Sequence, residues 1–313
     1  RVSITACGTA SYAGFVAKYW FERLARLPVE LDVASEFRYR EAPLRKGDLA
    51  IFISQSGETI DTLAALRYAK AQGLHTVSVV NVPTSTIARE SETVLPTLAG
   101  PEIGGASTKA FTCQLMALAA LAVAAGRARG ELSAEDETRL VHGLVEVPRL
   151  MSEALALEPQ IEKLARDIAR SQDVLYLGRG TNYPLALEGA LKLKEITCAH
   201  CEGMLSTEFK HGPLSAITDG FPVLFAAGPG DVPLIVSGIN EVTCRGGRAI
   251  AVGEGDSRLN DNANDVITIP ASNPAIAPLL SIIPLQLLSY YMSIARGYDP
   301  DFPRNLSKTL TVD

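Results

Sequence analysis

The sequence predicts an α/β protein in which one unit, a parallel sheet flanked by helices, occurs twice. Three observations lead there. Short β-branched runs alternate with helix-like stretches, the order of elements returns after about 172 residues, and polar turns sit where strands hand over to helices. With 313 residues, 47% of them apolar and 20% charged, the chain is long enough to bury two cores.

The first copy reads as a strand in VSITA (2–6) and a helix in YAGFVAKYWFERLARL (12–27). A second strand, DLAIFI (48–53), precedes a helix in TIDTLAALRYAKAQG (59–73). Another strand, TVSVVNV (76–82), leads to an Ala/Leu helix from about 111 to 126. Residues 127–172 are charged and helical in pattern, which suits connecting helices. In the second copy Gly8 of CGT falls opposite Gly180 of RGT, Gly57 of SQSGET opposite Gly230 of PGDV, and Val94 opposite Val266. The expected domains are therefore 1–130, connecting helices over 131–172, a second domain over 173–296, and a tail over 297–313.

A net charge of −6 without any Lys/Arg run speaks against a nucleic-acid surface or a polybasic membrane patch. Five cysteines, an odd number, read as reduced thiols of a cytoplasmic protein rather than a disulfide framework. The chain opens at Arg1 directly into a strand-like run, as if inside a longer polypeptide, and no targeting segment is visible. No charge occurs from Val266 to Ala295, yet Pro274, Pro278, Ser281, Pro284 and Gln286 interrupt that stretch. It reads as a strand end followed by a core helix, not as a membrane span.

The turn SQSGET (54–59) is the most informative stretch. A helix amino end presents unpaired N–H groups and a partial positive charge, which together suit a phosphate. Ser54, Gln55, Ser56 and Thr59 add side-chain donors, and Gly57 lets the backbone come close. Without a Walker lysine or a full dinucleotide fingerprint, a sugar phosphate fits better than a nucleotide. The plainer alternative is that Ser56 only caps the helix. Thr9 after the first strand, and Ser107 and Thr108 before the long helix, belong to loops that gather at the same sheet edge. The second copy keeps the glycine in AGPGDV but none of these hydroxyls.

The helical stretch NYPLALEGALKLKEITCAHCEG (182–203) starts with Asn182 as a candidate cap and Pro184 in its first turn. At about 100° per residue, Glu188, Lys192 and Glu195 share one stripe. Taken alone, Glu188 and Lys192 read as a solvated i,i+4 pair. His211 lies in the apparent loop of FKHGPL, where a histidine titrates near neutrality, although a lone loop histidine is more often structural. CAHC (198–201) lacks the second cysteine pair of a zinc site, so no metal is expected. The spacing of Lys308 in RNLSKTLTVD says nothing by itself.

CGT, YWFE, ASEFRYR, SQSGETIDTL, NVPTSTIARES, STKAF, LGRG, ALEGALKLKEI, KHGPL, IPLQLL and PRNLSKTLTVD occur in that order along nearly the whole chain. In these motifs the chain resembles the isomerase half of the glutamine–fructose-6-phosphate aminotransferases, which consists of two sugar-isomerase (SIS) domains. The resemblance implies fructose 6-phosphate or glucosamine 6-phosphate as ligand, in a site between the two domains. Its phosphate would rest on Ser54, Gln55, Ser56 and Thr59, helped by Thr9. Glu195 would move the proton between C1 and C2, Lys192 would serve the O1 proton, and His211 would assist ring opening, donated by the neighbouring subunit of a homodimer. Lys308, on a tail over the site, would form a Schiff base with C2, while Ser107 and Glu188 line the site; no cofactor is implied.

Two positions depart from the family pattern. Ala10 stands where CGTS is usual, and STEFKHG stands where AGELKHG is usual. The family's aminotransferases also carry an amino-terminal glutaminase domain that supplies ammonia, and the sequence shows none. Two further readings therefore stay open: a stand-alone SIS-type glucosamine-6-phosphate deaminase, and a non-catalytic SIS module that senses a sugar phosphate. Ammonia release without glutamine would mark the deaminase, and binding without turnover the sensor.

Overall fold

The computed structural model of the protein describes residues 1–308. It divides into two compact units. One holds residues 1–103 and 107–141 together with the tail from Ser307, and the other holds residues 104–106 and 142–306.

In the first unit the elements run β1 (Val2–Ala6), α1 (Gly8–Leu24), β2 (Val29–Val33), α2 (Ala34–Phe37), β3 (Leu49–Ser54), α3 (Ile60–Ala71), β4 (His75–Val80), α4 (Thr86–Glu90), β5 (Thr93–Pro96) and α5 (Lys109–Ala128). The strands are parallel in the order β2-β1-β3-β4-β5, with Ile4 opposite Ile51 and Ile51 opposite Val77. Sheets covered on both faces need near-continuous apolar strands, and β3 supplies one: Ala50 to Ser54 are all buried. Phe52 and Phe111 are fully buried, each contributing roughly 1.5–3 kcal/mol through apolar burial. Helix α5 packs against α1, and Gly126 makes this possible: a Cβ there would lie 2.5 Å from the Leu24 carbonyl oxygen.

Helices α6 (Ala134–Leu155) and α7 (Glu158–Ile168) follow. The second unit then runs β6 (Asp173–Gly178), α8 (Asn182–Thr197), β7 (His200–Leu205), β8 (Pro222–Ala227), α9 (Val232–Thr243), β9 (Arg248–Gly253), α10 (Ser257–Asn262), β10 (Asp265–Thr268) and α11 (Pro278–Ala295). Its sheet, β10-β9-β8-β6-β7, has the same parallel order as the first when each strand is matched to its counterpart. Counterparts begin at 2 and 173, 29 and 200, 49 and 222, 75 and 248, and 93 and 265, so the repeat expected from the sequence is a repeat of the whole doubly wound unit.

The uncharged stretch resolves into β10 and α11. By length and composition, α5 and α11 could each cross a membrane, but 56% and 67% of their apolar windows are buried inside the protein. Helix α11 lies along α8, and Gly189 of α8 sits where a Cβ would come within 2.9 Å of Tyr176 Cε1 and 3.1 Å of Leu285 Cδ1. Strand β7 passes as closely on another side: a Cβ on Gly203 would lie 2.7 Å from the Ala186 carbonyl oxygen.

Two sequence expectations change here. Asn182 is the first residue of α8 rather than its cap, which is Thr181. The helix also does not run through CAHC. Cys198 takes a left-handed conformation (φ 56°), which stops the helix at Thr197 and lets β7 begin at His200. The end of α8 is held from α11: Ser293 Oγ donates to the Ile196 carbonyl, and Arg296 donates to the carbonyls of Thr197, Ala169 and Ser171 at 2.5–2.8 Å.

Since Gly189 has no room for a methyl group, Gly189→Ala should lower stability by about 1–3 kcal/mol despite alanine's better helix propensity. Urea unfolding of the two proteins measures it, and an unchanged or raised midpoint would show that α8 and α11 are not so closely apposed.

Candidate active site

In the strand order of the first unit, the crevice that binds ligands in doubly wound sheets opens at the carboxyl ends of β1 and β3, which are neighbours. Thr9 lies there in the first turn of α1, and residues 54–59 join β3 to α3. Gly57 has φ +68°, a conformation that glycine adopts without strain. Ser54 Oγ, buried, accepts the Gly57 N–H at 3.0 Å and lies 3.0 Å from Thr59 Oγ1. Ser56 Oγ accepts the Glu58 N–H at 3.2 Å. The cap position of α3 is Thr59, with no side-chain cap bond, so the expectation that Ser56 merely caps the helix is not met. Gln55, Ser56 and Thr59 are half-buried around this helix tip, whose first N–H groups have no side-chain acceptor from Thr59.

A residue missed by sequence reasoning organises the next loop. Glu102, its side chain only 4% exposed, accepts the Thr108 N–H at 2.5 Å and so shapes the approach to α5. Its other carboxylate oxygen lies 3.8 Å from Lys308 Nζ. The structure thus places the tail lysine beside a buried carboxylate in the first unit. Ser107 is half-buried next to Thr108. The signal in the sequence is slight: Glu102 is the one charged residue from Thr93, where β5 begins, to Thr108 before α5.

The second unit carries the charged stripe of α8. The structure overturns the solvated-pair expectation, because Glu188 is 0% and Lys192 2% exposed. Lys192 Nζ lies 3.6 Å from Glu188 Oε1 and is hydrogen-bonded to Glu195 Oε2, with Glu195 22% exposed. One ammonium therefore serves two carboxylates in a setting where an uncompensated charge would cost several kcal/mol. Of the three, Glu195 is the group that opens to solvent. This arrangement can hold a carboxylate in a fixed direction while passing protons to and from the adjacent amine.

His211 follows a short 3-10 turn, Glu208–Lys210, and is exposed. Of the CAHC cysteines, Cys198 is exposed and Cys201 buried, and burial pushes the Cys201 thiol up to about 12, away from thiolate chemistry. Among the described residues no group of three or more His, Cys, Asp or Glu side chains gathers as a metal site.

Two parallel sheets of order 2-1-3-4-5, the first with a hydroxyl-rich turn at a helix tip, define a class, and comparison with known proteins agrees: the SIS domain matches residues 1–124 and 167–296, so the chain belongs to the SIS-domain family. A glutamine–fructose-6-phosphate aminotransferase [isomerizing] of Bradyrhizobium diazoefficiens is 67% identical over the whole chain. The chain spans about half the length of the curated relatives it matches, 52% in that case. Among solved structures, the C-terminal domain of glucosamine-fructose-6-phosphate aminotransferase from Francisella tularensis superposes with TM-score 0.93 at 39% identity, over 96% of this chain and 86% of that one. A glucosamine-6-phosphate deaminase from Thermotoga maritima superposes with TM-score 0.79 at 25% identity, over 99% and 90%.

The shared ammonium makes a stability prediction. Lys192→Ala should destabilise the protein by about 3–5 kcal/mol, since Glu188 would stay buried without its counter-charge. Glu188→Gln combined with Lys192→Met should regain at least half of that loss. Chemical denaturation decides, and a double variant as unstable as the single one would count against the charge-pairing account.

Proposed function

We propose that this chain carries out the sugar-isomerising and aminating half of the reaction of a glutamine–fructose-6-phosphate aminotransferase, converting fructose 6-phosphate to glucosamine 6-phosphate. The observation that carries the reading is Glu195, the open end of an otherwise buried Glu188–Lys192–Glu195 cluster on a rigid helix. Proton transfer next to a carbonyl needs a carboxylate held in this way. The likeness to aminotransferases at 67% and 39% identity supports it.

In this reading the phosphate rests on the α3 tip with Ser54, Gln55, Ser56, Thr59 and Thr9, and His211 of a partner copy in a homodimer assists ring opening. The Lys308 amine condenses with the C2 carbonyl and releases water; ammonia then displaces the lysine at C2. Glu195 takes a proton from C1 and returns it to C2. Lys192 relays the O1 proton: its ammonium gives a proton to the nitrogen at C2 and the resulting amine takes the one from O1, leaving the C1 aldehyde and the C2 amine. Ser107 and Glu188 line the site. Ammonia comes from a glutaminase domain of the longer polypeptide, and the protein works in the cytoplasm.

Two experiments test the assignment. Glu195→Gln should lower kcat for isomerisation by at least about a thousandfold with little change in sugar-phosphate affinity, while Ser56→Ala with Thr59→Ala should weaken affinity first. Near-normal turnover in Glu195→Gln would remove the base. For the imine, borohydride with fructose 6-phosphate should label Lys308, and an unlabelled Lys308 would exclude covalent activation there.

A further inference from the structure

An acidic residue stands inside the phosphate-binding turn proposed above, where a negative charge works against a dianionic ligand. Glu58 resolves this by pointing elsewhere: its Oε1 accepts the N–H of Thr86, the first residue of α4, at 2.8 Å. The segment from Asn81 to α4 meets the turn along its length. Asn81 N–H donates to the Gln55 carbonyl at 3.2 Å, and Ile87 N–H to the Gly57 carbonyl at 3.0 Å. Ser85, buried, fills the space beside Gly57 so closely that a Cβ on that glycine would lie 1.9 Å from Ser85 Oγ. Ser85 is itself fixed, because its hydroxyl caps α4 through the Ala88 N–H.

The geometry points to Glu58 as a positioning residue: by holding the amino end of α4, it fixes the 54–59 turn in the shape that receives the sugar's phosphate. This inference rests on the proposed phosphate site and adds how that site is kept in shape. A turn that presents N–H groups to an anion gains affinity only if those groups are already in place when the ligand arrives. The bonds from Thr86, and the nearby Arg89 guanidinium, hold the Glu58 carboxyl below the usual carboxylate range, so the acceptor stays ionised at neutral pH. Its tie to Thr86 turns the carboxylate toward α4, in keeping with a supporting rather than a ligand-touching role.

The bond can be cut from either side. Glu58→Ala removes the acceptor. Thr86→Pro removes the donor at a first helical position, which tolerates proline, and the preceding Ser85 is already extended (φ −67°, ψ 164°). In the full-length protein each variant should raise KM for fructose 6-phosphate, and Kd for glucosamine 6-phosphate and inorganic phosphate by calorimetry, roughly tenfold, with kcat within about twofold of wild type. The double variant should be no worse than the single ones. Glu58→Gln keeps an acceptor and loses a charge, so it should bind within about twofold of wild type or more tightly. Wild-type KM in both single variants, fully additive effects, or a Gln variant as weak as the Ala variant would each overturn the inference. Ser56→Ala with Thr59→Ala, measured alongside, tells the two ideas apart: unchanged phosphate affinity there refutes the phosphate site itself, whereas a loss there with none in the Glu58 and Thr86 variants refutes only the support.

Discussion

A lysine enclosed in protein is stable only if something nearby carries the opposite charge, and Lys192 has two such neighbours one helical turn away on either side. That constraint reaches through the second unit. The helix bearing the three residues must be rigid, so α11 lies along it with Gly189 admitting close approach, β7 crosses it at Gly203, and its far end is tied by Ser293 and Arg296. Of its two carboxylate neighbours, Glu188 is closed in and Glu195 is the one that faces solvent.

The two units share one architecture and differ in the side chains it carries. At the switch point of the first, the turn between β3 and α3 is built from hydroxyls and a glycine in a left-handed conformation, with its backbone ordered from the adjoining 81–90 segment. The matching turn of the second has Gly228 and Gly230, and there Asp231 is paired with Arg179 at 3.2 Å. Asp231 falls opposite Glu58, so an acid is common to both turns; what differs is that the hydroxyl side chains stand only in the first unit's turn and the buried Glu188–Lys192 pair only on helix α8 of the second.

Much of this was legible in the sequence because the features that set the fold are local and repeated. Gly8 and Gly180, Gly57 and Gly230, and the apolar runs before them mark strand-to-helix turns wherever they stand. Edge strands were harder. VELDV alternates apolar and acidic residues as a strand does, but over only five positions, and HCEGML has no β-branched residue, so β2 and β7 are the less legible strands and take shape on the ladders that β1 and β6 offer them. The i,i+4 spacing of Glu188 and Lys192 is the same on a wet helix face as on a buried one, and only the packing of α11 and β7 distinguishes them. Glu58 and Glu102 escaped notice for a related reason: an acid in a loop has no periodicity, and its meaning lies in the backbone N–H it accepts from residues 28 and 6 positions away.

Arg296 joins segments that are far apart in the chain, the turn after α7 and the last turn of α8, through three carbonyl oxygens at once. A planar guanidinium cannot release one of these without misaligning the others. The ends of α7, α8 and α11 are thereby linked as a single cooperative block: fraying, which ordinarily begins at a helix terminus, would here have to break all three together, and the helix holding Glu195 keeps its last turn for as long as the block survives.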